Sequence, residues 1–365
     1  MNPEVIITNL KSRYSGVSGT INALLPIQAA NLKIGFVGSE LPGFRLAQGQ
    51  NPEKIQQLSI WQAISISRTP LPNGHPRIWH VRRDPEMMLS IFLRDVLRLP
   101  IKIVFTSAAK HRHSWFPRWL ISKMDGVIST TPEAASYLSN TTKIVPHGIN
   151  LQRFTPPENK LTIWQRTGLP GKFGIGTFGR IRHDKGSDVF VDAMIQLLPE
   201  FPDYTAVLAG LCTTRHQAFQ KQLEEKIAHA GLSDRIFFLG IIGPNEIANW
   251  YQNVLITVAC PRYEPFGLTP LEGMACGCAV VATDTGAFKT IVDEASTGFV
   301  VATDSAIELT KALEKVMTNP DKAIEMGGKG RQRVANLFTI ENEAKGIQEV
   351  YSKVLADTPP NNERH

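Results

Sequence analysis

Short β-branched and apolar runs alternate with longer helical stretches through most of the chain. In the first half the runs fall at residues 5–7, 34–37, 77–81, 101–105, 127–129 and 143–145. The second half repeats the scheme at 173–178, 205–209, 236–239, 255–259 and 279–282. Alternation of this kind predicts parallel sheets with helices between the strands, and so two doubly wound α/β domains. Between them, residues 147–172 lack sustained periodicity and are punctuated by Pro156, Pro157, Pro170 and Gly171, which places the boundary there. After Gly298 the pattern turns mainly helical, with helices predicted over 305–318, 321–338 and 340–355 and a disordered polar tail over 357–365.

Composition sharpens this picture in three places. At 365 residues and 42% hydrophobic content the chain has apolar material for two cores. The net charge of +6 favours acidic partners, yet the basic residues are spread through both halves and no nucleic-acid motif accompanies them, so no nucleic-acid partner is expected. The N-terminus lacks the charged start and apolar core of a leader, and no run approaches the roughly 18 apolar residues of a spanning helix, so the expectation is a cytoplasmic protein, peripheral on the inner membrane. Cys212, Cys260, Cys276 and Cys278 lack the paired spacing of a zinc site or disulfide framework and read as small core residues; a metal role for Cys276 and Cys278 is the alternative.

The most informative chemistry lies between Glu264 and Glu272, where a loop leads into a helix. Thr269 is expected as N-cap, Pro270 at the first helical position and Glu272 at the third. Phe266, Gly267 and Leu268 precede it, and the Gly267 and Leu268 amides, aided by the partial positive charge of the helix start, suit a phosphate. A capping box with Thr269 is the bland reading of Glu272, but it leaves Glu264 unexplained. Upstream, Gly179-Arg180-Ile181-Arg182-His183-Asp184-Lys185-Gly186 follows the 173–178 run and precedes a helix from Ser187, the strand-turn-helix context that binds phosphate in doubly wound folds. Arg180 and Lys185 are the candidates to clamp a diphosphate; solvated surface charge is the alternative.

Two further segments carry candidate chemistry. Ser15, Gly16, Val17, Ser18 and Gly19 put small residues after the first strand, where the chain must approach a diphosphate or acceptor closely, although ordinary strand-helix connections look the same. Arg13 would add charge at that mouth. Lys110, Arg112, Trp115 and Arg118 interleave cations with aromatics, a composition suited to anionic lipid headgroups or a phosphorylated glycolipid. The competing reading is a solvated loop followed by a helix whose aromatics enter the core.

Taken together, the segments around Glu264 and Arg180 resemble the retaining glycosyltransferases of family four, which have the GT-B fold. The resemblance extends to Val145-Pro146-His147-Gly148-Ile149-Asn150 with Arg153, Phe154 and Pro156, and to residues 274–283. Residues 13–20, 79–87 and 105–109 are similar, more narrowly, to lipopolysaccharide core mannosyltransferases of alphaproteobacterial type. The resemblance implies two Rossmann-like domains facing a cleft: an acceptor domain over 1–155, a nucleotide-sugar domain over 156–338, and a helix over 339–356 crossing back to the first. It implies that Glu272 contacts the ribose hydroxyls, that Glu264 lies near the donor sugar and its phosphate, and that Arg180, Lys185 and Gly179 serve the diphosphate. Ile241 and Ile242 are the expected base contacts. Many relatives carry a first-domain histidine where this chain has Thr106; His80 is the substitute catalytic candidate, or else a satisfied core residue beside Trp79. No Asp-x-Asp pair is present, so no metal and no cofactor beyond the nucleotide sugar are expected. The implied reaction moves a hexose, mannose from GDP-mannose, to a lipopolysaccharide core or related glycolipid. A UDP- or ADP-sugar donor for another glycan, or a GT-B sugar-nucleotide epimerase, are the alternatives.

Overall fold

The structure, a computed structural model, describes residues 1–11, 15–109 and 111–357. Arg13, Lys110 and residues 358–365, on which parts of the sequence reading fall, lie outside the described residues.

The chain divides into two compact units. Met1–Gly148 joins the segment from Ile340 onward, and Ile149–Thr339 forms the other. In the first, seven parallel strands, β1 (Val5–Asn9), β2 (Ile34–Gly38), β3 (Ile55–Gln57), β4 (Arg77–Val81), β5 (Ile101–Ser107), β6 (Gly126–Ser129) and β7 (Lys143–Ile144), lie in the order β3-β2-β1-β4-β5-β6-β7. The second holds six parallel strands, β8 (Phe173–Phe178), β9 (Tyr204–Ala209), β10 (Ile236–Gly240), β11 (Val254–Ala259), β12 (Ala279–Thr283) and β13 (Gly298–Val301), in the order β10-β9-β8-β11-β12-β13. Each is a doubly wound sheet whose order reverses once, at β1/β4 and at β8/β11. In such sheets ligands collect outside the carboxyl ends of the strands at the reversal.

Packing follows from the sequence runs. Central strands such as β4, β9, β11 and β12 are buried at every residue, as expected of a parallel sheet covered on both faces. In the first unit one face packs Ile7, Val104 and Ile128 against the Gly16–Ala29 helix and against Ile347, Val350 and Val354 of the Ile340–Ala356 helix. The last long helix therefore belongs to the first unit, the crossing that resemblance implied. The unit boundary lies at Gly148 rather than residue 155: the Ile149 amide donates to the Phe338 carbonyl at 2.8 Å, and Phe154 and Trp164 are buried in the second core. Lys160 ties the same segment down, its Nζ donating to the carbonyls of Tyr251, Gln252 and Cys276 at 2.8–3.0 Å.

Two strands escaped the sequence pattern. β3 is a three-residue edge with only Ile55 buried, and β13 is a four-residue edge at the opposite end of the other sheet. The first long helix also starts earlier than its apolar residues suggest. Ser15 is its N-cap, accepting from the Ser18 amide, and Gly16 to Gly19 form its first turn rather than a loop.

Candidate functional site

The second unit brings the two strongest sequence elements together at the carboxyl edge of β8 and β11. The turn after β8 closes as a short 3-10 segment, His183–Lys185, and Gly186 then takes φ 72°. A Cβ at Gly186 would stand 1.9 Å from the Cys260 carbonyl oxygen, so only glycine lets this turn close against the end of β11. That closure aims Lys185 at the neighbouring loop, where its Nζ meets Glu264 Oε2 at 2.5 Å. Both side chains are about a quarter exposed or less, 24% and 21%, which leaves the pair reachable by a ligand. Arg180, exposed, makes no ion pair with any described residue and borders the same pocket of about 120 Å³ as Gly179, Lys185, Glu264 and Thr269.

Arg262, which sequence reasoning passed over, fixes this turn. Its guanidinium grips Asp188 through two bonds of 2.8 Å, reaches Asp304 at 2.8 Å and donates to the His183 carbonyl. Its backbone N–H donates to the Asp184 carbonyl at 3.0 Å. The bidentate bond to Asp188 raises its pKa further above the ordinary arginine value, against burial. Arg262→Ala is expected to lower stability by roughly 1–3 kcal/mol, the range for lost charge-assisted bonds. Because the Lys185 turn loses its anchor, transfer activity should fall as well; a melting curve and a rate on the same preparation check both.

The segment after Glu264 departs from the sequence reading in its cap. The helix spans Thr269–Ala275 and Leu268 occupies the cap position with no side-chain cap bond, so Thr269 and Pro270 open the helix and no capping box forms. Glu272 instead accepts the Tyr251 hydroxyl at 2.7 Å. Burial raises the Glu272 pKa, while that bond and the Arg153 charge pull it down. Gly267 takes φ 85°, and a Cβ there would strike the Phe288 ring at 2.2 Å. Phe266 is corrected from ligand contact to core: it is 4% exposed and packs with Leu271, Phe288 and Ile291, while its carbonyl accepts the Ala287 amide. Leu268 is half-buried against the same core.

A second pocket of about 300 Å³ is lined by Ile241, Ile242, Tyr251 and Glu272, and shares Phe178, Gly179 and Thr269 with the first. The two form one trough. Apolar Ile241, 71% exposed, and Glu272 line the second part, and the Lys185–Glu264 pair lines the first. Tyr251 itself is buried, its ring centroid 4.2 Å from that of Phe178 with the planes tilted by 44°. Cys260, Cys276 and Cys278 are buried and free, and among the described residues no group of three or more metal-ligating side chains converges.

In the first unit the outcome is different for His80. It is fully buried on β4, with Nδ1 2.6 Å from the Tyr351 hydroxyl and Nε2 2.8 Å from Thr106 Oγ1. Burial, reinforced by Arg82, holds its pKa well below the usual histidine value. Both nitrogens are spent inside the core, so the catalytic reading gives way to the satisfied core histidine. Ser15 and Ser18 are also engaged within the protein: Arg83 Nη2 reaches their hydroxyls at 3.1 and 3.4 Å, and Ser18 Oγ donates to Asn9 Oδ1. Gly16 is exposed, Val17 and Gly19 half-buried. On the Trp115–Ser122 helix, Trp115 and Trp119 are 73% and 46% exposed, with Arg112 and Arg118 exposed nearby; the aromatics do not all enter the core.

Residues 162–333, which contain the whole trough, match the family of group 1 glycosyl transferases. Over 355 residues the chain is 41% identical to the lipopolysaccharide core biosynthesis mannosyltransferase LpcC of Rhizobium leguminosarum bv. viciae, covering 97% of each. It is 42% identical to the lipopolysaccharide core biosynthesis mannosyltransferase LpsB of Rhizobium meliloti (strain 1021), across 96% of this chain and 98% of that one. Among solved structures, the Anabaena protein HepE in complex with UDP shares the fold at 16% identity, with a TM-score of 0.80 over 96% of this chain and all of that one. This chain belongs to the group 1 glycosyl transferases, has the GT-B fold and is a glycosyltransferase. Among the described residues no helix is long and apolar enough to cross a membrane.

Proposed function

We propose that this enzyme transfers mannose from GDP-mannose to the lipopolysaccharide core, with retention of anomeric configuration. The observation that carries the reading is the 2.5 Å contact between Lys185 and Glu264, which makes one site of two segments 79 residues apart. Breaking the bond from the anomeric carbon to a diphosphate leaves negative charge on the departing phosphate. Arg180 and Lys185 face the place where it develops, each contributing on the order of 3 kcal/mol if preorganised. Glu264, beside Lys185, takes the sugar end; Glu272 offers its remaining carboxylate oxygen to the ribose hydroxyls; Ile241 and Ile242 cover the base. Retention then follows from front-face attack of the acceptor hydroxyl, assisted by the leaving phosphate, with no covalent enzyme nucleophile. The donor and acceptor identities rest on the two full-length relatives, both named lipopolysaccharide core mannosyltransferases.

Side-chain cations take the place of a divalent metal in this scheme. A transfer assay with a panel of nucleotide sugars, run with and without chelator, tests the reading. GDP-mannose should be turned over best, and chelator should leave the rate unchanged. Preference for a UDP- or ADP-sugar, or full loss of activity restored by added metal, would contradict it.

Exposed Trp115 and Trp119 beside Arg112 and Arg118 suit an interface with anionic lipid, where tryptophan rings sit at headgroup depth and cations pair with phosphates. Flotation with liposomes is expected to recover the protein with anionic vesicles and not with neutral ones, and Trp115→Ala with Trp119→Ala should abolish recovery. Equal recovery with both vesicle types would count against docking by charge.

A further inference from the structure

We propose that Arg82 is the recognition point for an anionic group of the acceptor, a phosphate or a carboxylate, at the carboxyl edge of the first sheet. The inference rests on the transferase reading above and adds a binding residue to it. Arg82 follows the last residue of β4, and β1 and β4 are the neighbours at which the strand order reverses, the place where open parallel sheets take their ligands.

Two adjacent arginines behave differently there. Arg83 is consumed by the protein, bonding Asn9 Oδ1 at 2.9 Å and Glu86 Oε1 at 3.1 Å through Nη1, and Ser15 and Ser18 through Nη2. Arg82 is only 9% exposed, yet among the described residues its guanidinium donates to nothing, and Nη1 is shut off from solvent with no partner. The carboxylates near it are already engaged. Glu86 accepts from Thr8 Oγ1, the Leu10 and Arg82 amides and Arg83. Glu343 accepts from His147 Nδ1 and the Gly148 amide. Burial depresses the Arg82 pKa, and attraction from Tyr351, Glu343 and Glu86 offsets that only in part. A buried guanidinium without a bonded anion is costly, and a planar fork of donors is matched by carboxylate or phosphate oxygens. Ser107 Oγ and Thr130 Oγ1, at the carboxyl ends of β5 and β6, are likewise buried without partners, so unspent polar atoms recur along this edge.

The test reads binding, not turnover. Protein saturated with a nucleoside diphosphate, so that the donor trough is filled, is titrated at constant ionic strength with inorganic phosphate and, separately, with malonate, following Tm. At least one anion should raise Tm, and Arg82→Met should weaken that response by about tenfold or more, the scale of a lost charge-assisted bond. A stronger phosphate response assigns a phosphoryl group, and a stronger malonate response a carboxylate. Without added anion, Arg82→Met should melt no lower than wild type, because an unbonded buried charge has been replaced by an apolar chain. No anion response in wild type, an equal response in the variant, or a variant that melts lower or does not fold would overturn the proposal, the last by showing Arg82 to be a structural strut. Nucleoside diphosphate binding is measured in the same protein, so its failure would count against the donor site and not against Arg82.

Discussion

Lys185→Ala is expected to lower kcat by about a hundredfold or more, the scale for removing one preorganised donor aimed at developing charge. The side chain is held by a turn that only Gly186 can close and meets Glu264 at 2.5 Å. On the proposed function the variant loses the cation that would face the leaving phosphate, and it leaves Glu264 without its partner. Stability should barely change. Both partners retain more than a fifth of their exposure, and pairs with that much solvent contact contribute roughly 0–1 kcal/mol. Steady-state rates with saturating donor and a melting curve separate the two effects. An unchanged kcat would remove Lys185 from the chemistry, and a collapsed Tm would assign it to the fold.

Glu272→Gln is expected to raise the donor KM by about tenfold to a hundredfold, with a smaller effect on kcat, as fits a lost bond between a carboxylate and a hydroxyl worth roughly 1.5–3 kcal/mol. The amide oxygen can still accept the Tyr251 hydroxyl, so the local packing survives. Burial raises the Glu272 pKa in the folded chain. The folded state then holds that proton more readily than the unfolded state does, and stability falls as pH rises from the unfolded pKa through the folded one. At neutral pH the ionised carboxylate is thus a cost, and the glutamine variant should melt no lower than wild type. Donor affinity of wild type should weaken as pH falls through the raised pKa, while the variant should lack that dependence. Wild-type affinity in the variant would exclude the ribose role.

Much of this arrangement was legible because strands buried on both faces must be apolar along their whole length. β4 and β8 came out at their observed limits, and most other central strands within a residue or two. The edges β3 and β13 did not, since an edge strand needs little burial: of β3 only Ile55 is covered. Gly16 and Gly19 are poor helix formers and hide the start of the first long helix, which Ser15 as a cap signals. Phe266 reads as a ligand contact because it sits between Glu264 and Glu272, but an aromatic ring is claimed by whatever core lies nearest, here that around Phe288. His80 shows the same ambiguity in a strand: nothing in its neighbours along the chain tells that Tyr351, 271 residues away, supplies its partner.

The roles of Arg262 and Tyr251 were not visible for a related reason. Each acts through a partner distant in sequence, Asp188 for one and Glu272 for the other. Only the position of Arg262, two residues before Glu264, hinted that it belonged to the site. Trp115 and Trp119 did carry a readable signal. They stand four residues apart, hence on one helix face, with cations beside them, and that face is exposed.

On the proposed function Arg180 and Lys185 grip the second phosphate of a nucleotide whose ribose is held by Glu272. Calorimetric titration of a nucleoside diphosphate and the matching monophosphate into wild type, Arg180→Ala and Lys185→Ala tests it most directly. The second phosphate should add at least about tenfold in affinity for wild type, and each variant should lose that increment while binding the monophosphate as before. An increment of the same size in all three proteins would contradict it.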